Sequence, residues 1–332
     1  MEKVRWGVIS TADIGVAKVI PGMMKSDKLE VLAISSRDQA KADAAAKQLG
    51  IKRAYGSYEA MLADPDIEAV YNPLPNHLHV PLTLQALQAG KHVLCEKPFA
   101  IKAQDLEVLR PFADKLHIRE AFMVKYHPQW HEAREALRAG KIGDVRFIQV
   151  AFSYHNTDPA NVRNMADIGG GGLYDIGCYA ITAGRWFFEG EPSRVVGTFD
   201  RDPNFKTDRT ASGLMEFKGG KQLAFTVSTQ SCLYQRIQIL GDKGRLEIEI
   251  PFNAPPERNC RYAIDDGSSL SGGGVVWHEV AAADQYQLQA EGFGDAIRNA
   301  KPNGQWLDDA FSNMRIIDAF FRSESTGAFE KI

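Results

Sequence analysis

The sequence predicts an α/β doubly wound domain followed by an α+β domain, and three observations carry that reading. At 332 residues the chain is too long for one ordinary domain of roughly 150 residues. From residue 4 to about 122, short β-branched runs alternate with longer helical segments, the rhythm of a parallel sheet covered on both faces. Beyond residue 125, strand-like runs follow one another through glycine turns, which indicates antiparallel pairing. The expected domains are therefore 1–124 and 125–332.

In the first domain, strands are expected at Val4–Ser10, Leu29–Ser36, Ala69–Asn72, His92–Cys95 and Ile118–Val124. Asp38–Leu49 and Val80–Ala89, rich in Ala, Gln, Lys and Leu, favour helix between them. In the second domain a helix over Gln129–Ala139 ends at Gly140 and leads to a strand over Val145–Ser153, and Gly177–Phe188 is helical. Two hairpins follow: Ala211–Phe217 with Gln222–Ser228 around Gly219-Gly220, and Arg236–Leu240 with Arg245–Ile250 around Gly241–Gly244. The tail from Tyr286 to Arg322 returns to helix, and Trp186-Phe187-Phe188 reads as core or interface packing.

Composition narrows the function classes. With 44% apolar and 24% charged residues, the chain is neither disordered nor a fibrous or disulfide scaffold. Thirty-nine basic against 42 acidic residues, without a long block of one sign, argue against nucleic-acid and membrane-surface partners. No apolar stretch approaches the ~20 residues of a spanning helix, and MEKVRWGVIS lacks the apolar core of a signal peptide. Cys95, Cys178, Cys232 and Cys260 are scattered without zinc spacing, so no metal is expected and a reducing cytoplasm is the simplest compartment.

The first strand runs into Ser10-Thr11-Ala12-Asp13-Ile14-Gly15, a degenerate dinucleotide fingerprint with Ser10 and Ala12 at its first two glycine positions. Small residues there let the backbone turn and approach a pyrophosphate at a helix N-terminus. An ordinary strand–helix turn would read the same way. About 20 residues on, where the ribose is read, the second strand ends in Ser36 and Arg37. A hydroxyl and a forked guanidinium suit a 2′-phosphate, so NADP is favoured over NAD, although Asp38 stands next in line and Arg37 also suits a solvated helix start. The segment Asn72-Pro73-Leu74-Pro75-Asn76-His77-Leu78-His79 follows another strand end, with its prolines holding the backbone extended before the next helix. Asn76 and His79 there face the ligand crevice or serve as surface and capping groups. Lys97, in Glu96-Lys97-Pro98, closes the following strand. Finally, Gly169–Gly172 precede Asp175 and Tyr179, spaced to share a helical face. That segment reads either as backbone made for close approach to a ligand or as a flexible loop with a buried tyrosine.

Taken together, Glu96-Lys97-Pro98 and Asp175-x-Gly177-x-Tyr179 resemble the Gfo/Idh/MocA oxidoreductase family. The resemblance extends through Ala121-Phe122-Met123, Tyr126-His127-Pro128, Ile142-Gly143, Gly241-x-x-Gly244 leading to Pro251-Phe252, and Glu291-x-Phe293 to Asp318-Ala319. It implies an N-terminal Rossmann domain and a C-terminal domain whose large, open, mostly antiparallel sheet, flanked by helices, forms a homodimer or homotetramer interface. It also implies a cofactor set of Ser10, Thr11, Ala12, Asp13, Ile14, Ser36, Arg37, Pro73, Leu74, Asn76, His79, Glu96 and Lys97. Lys97 and Asp175 match the family's catalytic lysine and aspartate, whereas Tyr179 stands where many members have histidine. That variant resembles the branch of glucose–fructose oxidoreductase, NADP-dependent xylose dehydrogenases and dimeric dihydrodiol dehydrogenases. The absence of a secretion signal argues against the periplasmic glucose–fructose oxidoreductases.

The expected chemistry is reversible hydride transfer between nicotinamide and a sugar or polyol carbon, as in a D-xylose or glucose dehydrogenase. Tyr179 is the proton carrier; its phenol, with an ordinary pKa of about 10, needs a cation such as Lys97 to become a usable base. Asp175 orients the sugar or Lys97. Tyr126, His127, Tyr154, His155, Asn156, Arg163 and Asn164 are candidates for a polar, aromatic substrate wall, each equally readable as surface loop. Two alternatives remain: an NADPH-dependent reductase of a dicarbonyl or anhydro-sugar (or a dihydrodiol dehydrogenase), and a cofactor-binding sugar sensor without catalysis.

Overall fold

Aliphatic runs without alternation build the first sheet, because its strands are covered on both faces. The computed structural model describes residues 2–302 and 304–332. Six strands, β1 (Val4–Val8), β2 (Leu29–Ser35), β3 (Arg53–Tyr55), β4 (Ala69–Asn72), β5 (His92–Cys95) and β6 (Ile118–Glu120), pair in parallel in the order β3-β2-β1-β4-β5-β6. The order reverses between β1 and β4, which is where doubly wound sheets open a ligand crevice beyond the strand ends. Helices α1 (Ile20–Met24), α2 (Gln39–Leu49), α3 (Tyr58–Leu62) and α4 (Asn76–Gln88) connect the strands. Asp38 caps α2 by accepting from Ala40 N and Lys41 N, and Gly50 ends it in the left-handed conformation, φ 71°. α4 starts at Asn76, four residues before the expected Val80, because Pro75 already leads into the first turn and needs no amide donor there.

The second sheet shows the alternation expected of antiparallel strands with one face covered. Its strands are β7 (Val145–His155), β8 (Pro192–Arg201), β9 (Asp208–Phe217), β10 (Gln222–Ser228), β11 (Gln230–Gly241), β12 (Arg245–Ile248), β13 (Cys260–Asp265), β14 (Val275–Val280) and β15 (Glu330–Lys331). They lie in the order β14-β13-β12-β11-β7-β10-β9-β8-β15 and pair antiparallel except for β7 with β10. Ile148, Val150 and Phe152 of β7 and Leu223, Phe225 and Val227 of β10 are buried, while Phe147, Gln149, Gln222, Ala224 and Thr226 on the other face are exposed. Helix α5 (Pro128–Arg138) and the almost wholly buried α6 (Cys178–Phe188) belong to this unit. A Cβ on Gly184 of α6 would stand 3.0 Å from Leu223, Met215 and Phe217, so this helix lies directly on the sheet's apolar face.

The chain divides into two compact units, one running to Met123 and including Gln285–Phe311, the other comprising Val124–Asp284 and Ser312–Ile332. This differs from the division at 124/125, which leaves the whole tail in the second domain. Helix α7 (Gln285–Asn299) joins the first unit because its apolar stripe completes that core: Ala290 and Phe293 are fully buried with Trp6, Val4 and Leu29. The rings of Trp6 and Phe293 stand 5.4 Å apart, and a Cβ on Gly294 would lie 2.9 Å from Leu29. The division then falls within α8 (Gln305–Thr326), whose Phe320 packs edge-on against Phe225 of the second unit. Among the described residues, no helix is long and apolar enough to cross a membrane. Because Phe293 is fully buried, Phe293→Ala is expected to lower the unfolding free energy by about 3–5 kcal/mol, read from urea denaturation.

Candidate active site

In the first unit, parallel pairing delivers every expected cofactor residue to the carboxyl edge of one sheet. Beyond β1, Ser10 adopts φ 71°, a left-handed conformation that favours glycine, and its hydroxyl accepts from Ala12 N at 3.2 Å. Thr11, Ala12 and Ile14 are half-buried and Asp13 is exposed. The helix they open contains a π-helical turn, Gly15–Val19, a form frequent at functional sites. Beyond β2, Ser36 is buried and its hydroxyl accepts from Asp38 N at 3.3 Å. Arg37 is exposed and lies against the Tyr58 phenol, whose pKa burial raises and the guanidinium lowers. The carboxylate of Asp38 is committed to capping α2. This edge therefore offers a cation and a hydroxyl with its nearest carboxylate already engaged, which fits a 2′-phosphorylated dinucleotide better than a bare ribose.

The loops after β4 and β5 are tied together beneath the surface. Asn72, fully buried, accepts from Leu74 N at 3.3 Å and donates to the carbonyl of His79 at 3.1 Å. His79 is 1% exposed, with Nε2 2.6 Å from the Leu74 carbonyl and Nδ1 2.8 Å from that of Pro98. Two acceptor carbonyls favour an imidazolium, but burial dominates and pushes the pKa down to about 4. Both ring nitrogens thus face carbonyl oxygens, one from each loop. His79 holds the Leu74 and Pro98 loops and offers no free ring nitrogen, so the expected direct cofactor contact is replaced by support of the loops. Pro73 and Leu74 are buried and Asn76, the first residue of α4, is half-buried. Glu96 accepts from the fully buried Tyr71 hydroxyl at 2.7 Å and from Lys97 N at 3.3 Å. The half-buried Lys97 precedes Pro98 through a cis peptide, and Glu120 of β6 accepts from Phe99 N at 2.9 Å.

In the second unit the glycine run is a packed seat rather than a flexible loop. Gly171 has φ 122°, and a Cβ there would lie 1.9 Å from Asp208 Oδ1; on Gly170 it would lie 2.6 Å from the Met165 carbonyl. Gly170 N and Gly171 N donate to the carbonyls of Met165 and Arg163 at 2.9 Å each. The Oδ2 atom of Asp208 accepts from Leu173 N at 2.6 Å, at the start of the π-helical turn Leu173–Gly177 that runs into α6. Asp175 lies in that turn and Tyr179 in the first turn of α6, on one continuous helical run. Tyr179 is 5% exposed and packs on Phe152 and Phe252 at 5.8 and 5.3 Å. Asp175 Oδ2 accepts from the Tyr154 hydroxyl at 2.6 Å, and Oδ1 stands 3.0 Å from Arg163 Nε. Burial, with the neighbouring carboxylate, holds the Tyr154 phenol well above its usual range, and Asp175 holds the Arg163 guanidinium charged.

The candidate substrate residues thus separate. Tyr154 and Arg163 converge on Asp175, and Asn164 is buried in the adjoining turn, donating to the Asp158 carbonyl at 2.8 Å. His127 is fully buried, and its Nδ1 accepts from Gln129 N at the start of α5, so it caps a helix instead of facing substrate. Tyr126 ends a short 3-10 turn and is half-buried, Asn156 is half-buried, and His155 is exposed at the end of β7. Sequence reasoning missed Asp208 and Glu120, whose partners lie 35 and 21 residues away and leave no local pattern. Among the described residues no group of three His, Cys, Asp or Glu side chains could hold a metal ion.

Residues 4–126 match the oxidoreductase family with an NAD-binding Rossmann fold, and residues 130–247 match the GFO/IDH/MocA C-terminal domain. The chain is 46% identical to an uncharacterized oxidoreductase of Rhizobium meliloti over the whole of both chains. It is 37% identical to an NADP-dependent D-xylose 1-dehydrogenase of Haloferax volcanii, covering 97% of this chain and 98% of that one. The crystal structure of a 3-ketoreductase from Actinomadura kijaniata, with NADP and TDP-benzene, superposes with a TM-score of 0.89 at 27% identity over 97% of this chain and 98% of that one.

Burial pushes the Asp208 carboxyl up from 3.8 to about 6 against the pull of the Leu173 amide. A raised carboxyl favours the protonated native state, so its contribution to stability is full below pH 3.8 and disappears as pH rises through about 6. Asp208→Asn keeps an acceptor for Leu173 without the charge. Relative to the parent, its melting temperature is expected to gain as pH rises from 4 to 7, by the equivalent of about 2 kcal/mol. A constant difference across that range would contradict the buried ionisation.

Proposed function

Because the chain belongs to the Gfo/Idh/MocA oxidoreductase family, we propose that it is an NADP-dependent aldose 1-dehydrogenase of the D-xylose or glucose type. The observation that carries this reading is its full-length similarity, at 37% identity, to an enzyme named for NADP-dependent oxidation of D-xylose. Family membership makes it an oxidoreductase and sets the sensor reading aside. Ser10, Thr11, Ala12, Asp13 and Ile14 form the turn that takes the pyrophosphate at a helix N-terminus. Arg37 and Ser36 take the 2′-phosphate, and the loops carrying Pro73, Leu74, Asn76, Glu96 and Lys97 border the rest. NADP, when bound, supplies the hydride acceptor.

The protein's own part is to hold the sugar and move one proton. As the carbinol carbon gives up hydride, its hydroxyl must lose a proton, and Tyr179 receives it as the phenolate; in the reverse direction the phenol returns it. Lys97 supplies the positive charge that the oxygen needs as its proton leaves. Asp175 acts through Arg163 and Tyr154, the partners of its two carboxylate oxygens. The second reading, reduction of a ketone or dicarbonyl by NADPH, draws on the likeness to a 3-ketoreductase and uses the same residues in reverse. The four cysteines are free thiols, which suits a reducing cytoplasm, and the exposed Phe147, Tyr234 and Trp277 of the second sheet's strands suit a homodimer or homotetramer interface.

The reading is tested by absorbance of NADPH formed from NADP, with NAD in parallel, against pentoses and hexoses. One aldose is expected to reduce NADP, and Lys97→Ala to abolish the reaction. Tyr179→Phe should lower kcat by about 10²–10⁴-fold with little change in KM; retention of most of kcat would exclude the tyrosine as proton carrier. Arg37→Ala should raise KM for NADP about tenfold or more and leave KM for NAD unchanged. Silence with every sugar but oxidation of NADPH by dicarbonyls would favour the second reading.

A further inference from the structure

We propose that Asp175, Arg163 and Tyr154 form a charge-balanced cradle that admits uncharged, hydroxyl-bearing sugars and rejects sugar acids, with Arg163 as the residue that takes a substrate oxygen. The inference rests on the sugar-oxidoreductase reading above and names the substrate class of that site.

The three side chains are fixed relative to one another. Asp175 spans Arg163 Nε at 3.0 Å and the Tyr154 hydroxyl at 2.6 Å, one oxygen to each. The carboxylate side chain is 13% exposed, whereas that of Arg163 remains 41% exposed. A guanidinium is planar and carries five N–H donors, so the contact at Nε sets its plane and leaves the donors on its terminal nitrogens for another acceptor. The backbone beneath it is held at both ends: Arg163 N donates to Asn161 Oδ1 at 3.1 Å, and its carbonyl accepts from Gly171 N at 2.9 Å. Arg163 is therefore presented by a built turn, and the glycine run is part of what builds it. Tyr154 donates its proton to Asp175, which leaves its oxygen able to accept one. Donor and acceptor lie on the two sides of one carboxylate, a pattern complementary to neighbouring hydroxyls on a sugar ring.

Charge decides between a neutral and an acidic ligand. The arginine is permanently positive, Asp175 cancels it, and the Tyr154 phenol stays neutral. A sugar hydroxyl accepts a charge-assisted hydrogen bond from Arg163 without disturbing that balance. A carboxylate entering instead meets a cation that is already paired, and lies within a few ångströms of the Asp175 charge in a partly desolvated place.

The test compares D-xylose and D-glucose with D-glucuronate in the parent enzyme and in Arg163→Lys, Arg163→Gln and Asp175→Asn. KM and kcat are measured for each, together with sugar binding to the NADPH complex by fluorescence, which does not require turnover. The parent should prefer neutral sugars about tenfold or more, the size of one charge-assisted hydrogen bond. Arg163→Lys keeps the charge but loses the fork: it should raise KM for the neutral sugar about tenfold, with kcat within about threefold, and keep the preference over glucuronate. Arg163→Gln should bind neutral sugars as weakly and glucuronate more weakly still. Asp175→Asn should move the binding ratio toward glucuronate by about tenfold. Equal binding of glucuronate and neutral sugars by the parent, or unchanged neutral-sugar KM in both Arg163 variants, would overturn the proposal. Preferential binding of neutral sugars without any turnover would leave the cradle standing and remove the dehydrogenase reading. No binding of either kind would remove both.

Discussion

Parallel pairing of the first sheet is the constraint from which the candidate cofactor edge follows. Since β1, β2, β4 and β5 run in one direction, Ser10, Ser36, Pro73 and Glu96 all emerge at the same edge. Such an edge brings together backbone polar groups that no strand partner satisfies. The chain meets that problem with side chains from below: the buried Asn72 and His79 under one loop, the half-buried Glu96 on the amide of Lys97, and the buried Glu120 on the amide of Phe99. These contacts settle where the loops sit, and the exposed Arg37 is then left to face solvent beside them. Local strain belongs to the same arrangement, because Ser10 holds a left-handed conformation in which glycine would be easier.

The second unit solves a different problem, seating the start of a helix beside a buried carboxylate. Only residues without a side chain allow the backbone at Gly170 and Gly171 to come so close to Asp208 and to the Arg163–Met165 turn. The same approach fixes the start of the helical run carrying Asp175 and Tyr179, and it fixes the carbonyl of Arg163. Packing of Tyr179 on Phe152 and Phe252 then limits where its phenol can be. A substitution in the glycine run thus reaches the placement of Asp175 and Arg163, although none of these glycines need touch a ligand.

Much of this was legible in the sequence wherever the signal is local. The strands Ala69–Asn72, His92–Cys95 and Gln222–Ser228 have the limits their apolar pattern predicts. The hairpins at Gly219-Gly220 and Gly241–Gly244 pair antiparallel as expected. Other elements carried no such signal. Strand β3 is three half-buried residues, and β14 is a largely exposed edge strand, so neither shows a clear apolar period. Helix α7 has an ordinary amphipathic stripe, and nothing local reveals that it completes the core around Trp6. Among site residues, the commitment of Asp38 to a cap and of His127 to another depends on amides two or three residues away, a pattern that sequence leaves ambiguous with ligand binding. Asp208 was invisible because its partner is remote, and the Arg163–Asp175–Tyr154 cluster because it joins three separate segments.

The central claim, hydride transfer from a sugar carbinol carbon, is tested most directly by isotope. The protein would be incubated with NADP and an aldose carrying deuterium at C1, and the nicotinamide product examined by NMR and mass spectrometry. The account predicts one deuterium at nicotinamide C4, with none exchanged into water. Recovery of unlabelled NADPH with deuterium in the solvent, or no reduced cofactor from any C1-labelled aldose, would contradict it.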